Sequence, residues 1–130
     1  MQERLKPFNY LVVDDSEFAR KSLIKILGSM GGTLAGEAVS GQEALQKYKL
    51  LKPDIVFMDI TMPGMEGIEA LESILEEDLS AKVVMVSSLT HNALVSDALK
   101  KGAKHYITKP AQVKPIAEIV RFVLDPAGRG

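Results

Sequence analysis

The stretch Ile55-Val56-Phe57-Met58-Asp59-Ile60-Thr61-Met62-Pro63-Gly64 decides how the rest of the chain is organised. Its first four residues form a short, continuous apolar run, which is typical of a strand buried on both faces. Asp59 ends that run, and Met62-Pro63-Gly64 then breaks the strand. Open α/β sheets bind their ligands at the carboxyl ends of parallel strands. Asp59 is therefore a candidate site residue, although a lone aspartate at a strand end can also simply begin a turn.

Apolar runs and helical patterns alternate on both sides of this stretch. Strands are predicted over residues 10–13, 33–39, 55–58, 82–86 and 105–108, and helices over residues 16–27, 40–51, 68–77, 92–101 and 115–124. Five such alternations with short links predict a parallel sheet covered by helices on both faces. With one reversal of winding the strand order is 2-1-3-4-5, so the fold class is a flavodoxin-like, doubly wound α/β sheet of five strands with five helices. The 130 residues are interpreted as one domain, with a core of about 8–124 and flexible ends at 1–7 and 125–130.

Individual residues mark where several helices begin and end. Ser16 is a suitable N-cap for the first helix, and Gly28, Gly31 and Gly32 are expected to end it. The sequence Ser40-Gly41-Gln42-Glu43 is typical of a capping box at the start of the second helix. Pro115 is acceptable in a first helical turn and is expected to open the last helix.

The composition excludes several classes of protein. Sixteen Lys and Arg residues against seventeen Asp and Glu residues give a net charge of −1, without a basic run, so nucleic acid and membranes are not expected as partners. The chain has no cysteine, which excludes disulfides, thiolate chemistry and cysteine-based zinc sites. No apolar run approaches the length of a membrane span, and Asp14-Asp15 interrupts the apolar N-terminal segment before a signal peptide could form. We therefore expect a cytoplasmic protein.

Polar residues also end the other predicted strands, and the predicted topology brings them to one edge of the sheet. Asp14 and Asp15 follow the first strand, which lies beside the strand of Asp59. Three neighbouring carboxylates repel one another unless a cation binds, and an all-oxygen set suits Mg²⁺, with Mn²⁺ as a substitute. The main-chain carbonyl of Thr61 is expected to be a further ligand. The alternative is that Asp14-Asp15-Ser16 only caps a helix, without a metal.

Two more polar residues complete a candidate site for phosphoryl transfer. Ser87 lies at the end of the fourth predicted strand and Lys109 at the end of the fifth. A metal, an ammonium and a hydroxyl around one carboxylate are groups that stabilise charge on a transferring phosphoryl group. Asp59 would then be the nucleophile and would carry the phosphoryl group as an aspartyl phosphate. It needs no general base, because a carboxylate attacks without losing a proton.

Together, Asp14-Asp15, the stretch from Asp59 to Gly64, Ser87 and Lys109-Pro110 resemble the signature of the response-regulator receiver domain. The resemblance covers residues 8 to about 124, practically the whole chain. The spacing of the motifs, with no output domain beside them, is most similar to the stand-alone chemotaxis regulators of that family.

The resemblance implies a function and a set of site residues. A histidine kinase would transfer a phosphoryl group to Asp59, with Mg²⁺ bound by Asp14, Asp15, Asp59 and the Thr61 carbonyl. Ser87 and Tyr106 would move together on phosphorylation. The resulting expectation is a phosphoacceptor in a two-component system, acting in chemotaxis, with a phosphorelay intermediate or a phosphate sink as alternatives.

Two other protein classes share parts of this pattern. Phosphatases of the haloacid-dehalogenase type also use a nucleophilic aspartate and Mg²⁺, but they resemble one another in a second acid two residues later, where this chain has Thr61. A flavin-binding module of the flavodoxin type needs a hydroxyl-rich phosphate cradle after the first strand. The Asp14-Asp15 pair would repel a phosphate there, so both classes are disfavoured.

The chain departs from the family pattern at two positions. Ser88 follows Ser87 where the family usually has alanine, and it should crowd the approach of a phosphate slightly. Ala111 follows Lys109-Pro110 where an aromatic residue is frequent, so looser packing is expected behind Lys109. The Lys109-Pro110 bond is expected to be cis, because the turn must direct Lys109 back into the crevice.

Autodephosphorylation is expected to depend on Thr61 and Leu89, the residues two positions after Asp59 and Ser87. Both border the expected path of the attacking water. Leu89 is apolar where a polar side chain could orient that water, so slow hydrolysis is predicted. The protein would therefore turn over its own phosphoryl group slowly without being a dedicated enzyme.

Helices 4 and 5 carry more apolar surface than a single sheet contact requires. Tyr106 lies on the strand between them. We expect Val95, Leu99, Tyr106 and Ile119 to form a face that contacts a downstream partner or a second copy of the chain.

Overall fold

The computed structural model describes residues 5–62, 67–88 and 92–124. Strands and helices alternate along the chain in the order β1 (Phe8–Val13), α1 (Glu17–Ser29), β2 (Gly32–Ala38), α2 (Gly41–Leu51), β3 (Ile55–Asp59), α3 (Gly67–Glu77), β4 (Val83–Ser88), α4 (Asn92–Lys100), β5 (His105–Lys109) and α5 (Val113–Val123). The strands form one parallel sheet in the order β2-β1-β3-β4-β5. This confirms the predicted fold class and strand order.

The sheet is covered on both faces, as its apolar strands require. Every residue of β3 is buried. One core cluster packs buried side chains of the sheet against α2, α3 and α4, and a second packs the opposite face against α1 and α5. The two edge strands, β2 and β5, contain exposed and half-buried residues.

Two serine caps begin helices where the sequence predicts them. The Ser16 hydroxyl accepts the N–H of Ala19 at 3.2 Å, and the Ser40 hydroxyl accepts the N–H of Glu43 at 3.2 Å. The carboxylate of Glu43 accepts the N–H of Val39 at 2.7 Å, one residue before the partner that a standard capping box uses. The two hydrogen bonds tie the first turn of α2 to the residues that precede it.

The predicted end of α1 is two residues too early. Gly28 lies inside the helix, which continues to Ser29. The backbone turns at Gly31, one of the three glycines expected to end the helix, whose φ of +102° is in the left-handed region that glycine adopts without steric cost. At the other end of the chain, α5 begins at Val113 rather than Pro115. Pro115 still lies in the first turn, where its missing N–H is not needed.

The predicted ends of β4 and β5 are also too early. Both strands continue by one or two residues, because Ser87 pairs with Thr108 and Ser88 pairs with Lys109. Ser87 and Lys109 therefore belong to paired strands and not to the loops that follow them. Their backbone positions are set by the sheet.

The ordered structure includes residues before β1. Leu5, which the sequence places in a flexible leader, donates its N–H to the carbonyl of Met30 at 3.0 Å and packs on the core. The rest of the predicted flexible ends, residues 1–4 and 125–130, lies outside the described residues. Within the part of the chain that the structure describes, no helix is long and apolar enough to cross a membrane.

Candidate functional site

Asp59 lies at the crowded junction between β3 and α3. It is the last residue of β3, and it is 7% exposed. The N–H of Gly67, the first residue of α3, donates to the carbonyl of Ile60 at 3.2 Å. A Cβ on Gly67 would lie 2.1 Å from the main-chain oxygen of Asp59, inside any permitted contact. Glycine therefore allows α3 to begin this close to the residue that carries the candidate nucleophile.

The structure brings Asp14 and Asp15 to the same place. One carboxylate oxygen from each of Asp14, Asp15 and Asp59 lies within 4.8 Å of the others. Asp14 is buried and Asp15 is exposed. The N–H of Asp14 donates to the carbonyl of Ala38 at 3.0 Å, and the Asp14 carboxylate accepts the N–H of Ser16 at 2.9 Å. The acidic pair thus sits in a turn that is hydrogen-bonded to β2 and to the start of α1.

Lys109 reaches the acidic cluster from the end of β5. Its Nζ lies 2.8 Å from Oδ2 of Asp14 and 3.7 Å from Oδ1 of Asp59. Three ionised carboxylates against one ammonium leave two formal negative charges in a partly buried space. Oxygen donors with that excess of negative charge fit a divalent hard cation.

Burial controls the ionisation of Asp59. The pKa of its carboxyl group is raised to about 6, mainly because burial disfavours the charged form and next because Asp14 is close. Lys109 and the N–H of Thr61 oppose this increase. Burial lowers the pKa of Lys109, but the hydrogen bond to Asp14 and the charges of Asp59 and Asp14 hold that pKa above its usual value. At neutral pH Asp59 is thus mainly a carboxylate, and a more basic one than an exposed aspartate.

Ser87 lies on the strand next to that of Asp59, and Thr61 follows Asp59 in the sequence. Ser87 is 1% exposed near the end of β4, the strand that pairs with β3. Thr61 is exposed and follows Asp59 by two residues. Leu89, the second residue expected to influence autodephosphorylation, lies outside the described residues, as do Pro63 and Gly64 of the predicted break.

The turn after Lys109 has two notable features. The Lys109–Pro110 peptide bond is cis, the geometry that the sequence predicts. A cleft of about 290 Å³ lies behind Lys109, lined among others by Phe18, Ala19, Pro110 and Ala111. Ala111 also packs against the core cluster beneath α1 and α5.

The residues of the predicted output face differ in exposure. Leu99 is 39% exposed and Tyr106 is 40% exposed. Val95 and Ile119 are half-buried and pack against the two core clusters. Leu99 and Tyr106 therefore present most of the apolar surface of the four.

The sequence patterns missed two residues that shape the site. Gly67 permits the close approach of α3, and its position directly before an amphipathic helix was the available signal. Arg20, on α1, donates a hydrogen bond to the main-chain oxygen of Asp14 at 2.7 Å. No sequence pattern indicates that contact, because it depends on how α1 packs beside β1.

Comparison with known proteins agrees with this geometry. Residues 10–121 match the family model of the response regulator receiver domain. The chain is 50% identical over 120 residues to the chemotaxis protein CheY of Treponema pallidum, covering 91% of this chain and 83% of that protein. It is 47% identical over 113 residues to CheY of Thermotoga maritima, covering 87% and 94% respectively.

A solved structure shows the same fold. A chain in the CheX–CheY–BeF3–Mg²⁺ complex from Borrelia burgdorferi is 45% identical, with a TM-score of 0.86, and the match covers 90% of this chain and 89% of that chain. The strand order, the clustered aspartates and the extent of these matches lead to one conclusion: the chain belongs to the response regulator receiver domain family.

Proposed function

We propose that this CheY-like receiver domain accepts a phosphoryl group on Asp59 from a histidine kinase and relays the signal in chemotaxis. One observation carries the proposal: a buried carboxylate lies within reach of two further carboxylates and a lysine, at the carboxyl end of the central strands. The names of the curated relatives support the chemotaxis role. Family members serve in signalling and are not dedicated enzymes.

The proposed transfer requires few protein groups. An Oδ atom of Asp59 attacks the phosphorus of a phosphohistidine, the P–N bond breaks, and the imidazole leaves with its electron pair and takes a proton from solvent. Lys109 would pair with the phosphoryl oxygens, and the distance of 3.7 Å between its Nζ and Oδ1 of Asp59 supports this role. The Ser87 hydroxyl, buried on the neighbouring strand, would donate to the same group. The raised basicity of Asp59 favours its attack.

The acidic cluster fits Mg²⁺, and Mn²⁺ as a substitute. Asp14, Asp15, Asp59 and the main-chain carbonyl of Thr61 would hold the ion, in keeping with the excess negative charge of the cluster. When bound, the ion would neutralise charge on the phosphoryl oxygens during transfer. Lys109 would favour the ionised form of Asp59 and pair with the phosphoryl group, to which Ser87 would also donate a hydrogen bond.

The experiment that tests the proposal is phosphorylation with a small phosphodonor such as acetyl phosphate. With Mg²⁺ present the chain should take up one phosphoryl group, and an excess of chelator should prevent it. Uptake that does not depend on a divalent cation would contradict the proposed role of the cluster.

The aspartyl phosphate is expected to hydrolyse slowly, because Leu89, which the sequence pattern predicts to border the path of the attacking water, is apolar. Leu89→Glu should shorten the phosphate lifetime by about tenfold, less than the roughly 100-fold or more that a well-positioned general acid or base contributes. The measurement is the decay of phosphoprotein after donor removal, with Leu89→Gln as the uncharged control. An unchanged lifetime in both variants would remove Leu89 from this role.

We propose that the phosphorylated protein binds its partner through the face formed by Val95, Leu99, Tyr106 and Ile119. Support comes from the exposed apolar surface of Leu99 and Tyr106. Phosphorylation would draw Ser87 towards the phosphoryl group and allow Tyr106 to turn inward, which changes the shape of the face. The partner is a downstream protein or a second copy of this chain.

Amide hydrogen exchange of the phosphorylated protein with its partner checks this face. Protection should appear in α4, β5 and α5. Protection confined to α1 and α2 would show that another face carries the output.

A further inference from the structure

We infer that Arg20 is a positioning residue for the acidic cluster: it fixes the peptide that joins Asp14 to Asp15, so that both carboxylates are held ready for a divalent cation. The inference rests on the proposed function, since it concerns the same site. Arg20 itself lies outside the cluster, on α1.

Arg20 connects two parts of the structure with its guanidinium group. Its Nη1 donates to the main-chain oxygen of Asp14 at 2.7 Å, and its Nε donates to Oε1 of Glu37 at 2.8 Å. The Arg20 side chain is 13% exposed, whereas that of Glu37 is 40% exposed. Because the guanidinium is planar, the contact with Glu37 on β2 fixes the direction of the donor that points to Asp14.

Glu37 is itself held by the neighbouring helix. Lys47 of α2 donates a hydrogen bond to the main-chain oxygen of Glu37 and forms an ion pair with Glu43 at 3.4 Å. The Arg20 guanidinium is thus anchored to β2, whose edge is tied to α2. This anchor does not involve the acidic cluster.

The contact with Asp14 is placed where it controls both acids. The oxygen that accepts from Arg20 belongs to the peptide unit between Asp14 and Asp15. The orientation of this peptide plane sets the direction of the backbone at Asp15, and with it the position of the Asp15 carboxylate. Asp14 has additional support from Ser16 and Lys109, so the exposed Asp15 is the acid whose position should depend most on Arg20.

Electrostatics alone predicts the opposite effect from positioning. Arg20 carries a positive charge near a cation site, so removing that charge should strengthen cation binding. Positioning predicts that removing the side chain weakens it, by about tenfold, the lower end of what residues supporting metal ligands contribute. The sign of the change therefore separates the two explanations.

The test is calorimetric titration of the metal-free full chain with Mg²⁺ alone. Arg20→Gln should raise the Kd about tenfold, and Arg20→Lys should recover part of the loss because it retains a donor. Lys21→Gln is the matched charge control, since Lys21 is 72% exposed on the same helix and pairs with Glu17 at 3.0 Å. It should leave the Kd within about twofold, as expected for a screened surface charge.

A second readout separates positioning from a general loss of structure. In acetyl phosphate reactions, Arg20→Gln should raise the Mg²⁺ concentration for half-maximal phosphorylation, while the rate at saturating Mg²⁺ stays near that of the parent. If Arg20→Gln fails to fold, Glu37→Ala removes the acceptor of the Arg20 Nε–H, keeps the guanidinium, and should still raise the Kd.

The outcomes distinguish this inference from the proposed function. If the parent binds Mg²⁺, Asp15→Ala loses binding, and Arg20→Gln and Glu37→Ala bind as tightly as the parent or tighter, the positioning role is overturned and the metal site stands. If the parent itself does not bind Mg²⁺, both proposals are overturned.

Discussion

Replacing Gly67 with alanine is expected to destabilise the protein by about 3 kcal/mol, the upper end of the usual cost of overpacking. The new Cβ would lie 2.1 Å from the main-chain oxygen of Asp59 and 2.9 Å from Cα of Ile60. Both obstacles are backbone atoms, so no rotamer change can relieve the contact. Alanine is favoured over glycine in helices by only about 1 kcal/mol, and the clash should outweigh that gain.

The free energy of unfolding in urea measures this effect. Gly28→Ala is the matched control, because Gly28 lies inside α1 with nothing within 4 Å of an added Cβ. It should stabilise the protein by roughly 0.5–1 kcal/mol. Equal effects of the two substitutions would show that α3 does not approach β3 as closely as the structure indicates.

Asp59→Asn is expected to stabilise the metal-free protein at neutral pH. The folded state raises the pKa of this carboxyl group from 3.8 to about 6, so the ionised form is disfavoured by folding. At about 1.36 kcal/mol per pKa unit, the penalty is roughly 2–3 kcal/mol once the group is fully ionised. Asparagine has a similar shape and carries no charge, so it removes the penalty.

The pH dependence follows from the direction of the shift. Between pH 4 and 6 the folded protein holds a proton on Asp59 that the unfolded chain has lost, so the parent loses stability as the pH rises through this window. The advantage of Asp59→Asn should be complete above pH 6 and should vanish near pH 4. Urea unfolding of both proteins with a chelator, from pH 4 to 8, measures it. A constant difference across that range would contradict the raised pKa.

The fold could be predicted because its signals are local. The continuous apolar run of β3 and the caps Ser16 and Ser40 depend on neighbouring residues only, and they are found where predicted. The strand ends follow from the parallel topology, which places Asp14 and Asp59 side by side. For this reason the acidic cluster could be predicted from the sequence.

The errors arose where distant parts of the chain decide the structure. Ser88 is part of β4 because it pairs with Lys109, and no local pattern reports that pairing. The roles of Gly67 and Arg20 likewise depend on how α3 approaches β3 and how α1 packs beside β2.

Thr61 and the Asp14-Asp15 pair separate the receiver domain from the two other protein classes that share parts of its sequence pattern. A phosphatase of the haloacid-dehalogenase type would need a second acid at the position of Thr61. A flavin module would need a phosphate cradle at Asp14-Asp15, where the structure places clustered carboxylates. The match of residues 10–121 to the receiver family favours the receiver domain over both classes.

Intact-mass spectrometry after incubation with acetyl phosphate and Mg²⁺ tests the role of Asp59 most directly. The parent should gain the mass of one phosphoryl group, and borohydride reduction of the acyl phosphate should map the modification to residue 59. Asp59→Asn should gain nothing under the same conditions. A parent that remains unmodified, or an Asp59→Asn variant that gains as much as the parent, would contradict the assignment of Asp59 as the phosphoacceptor.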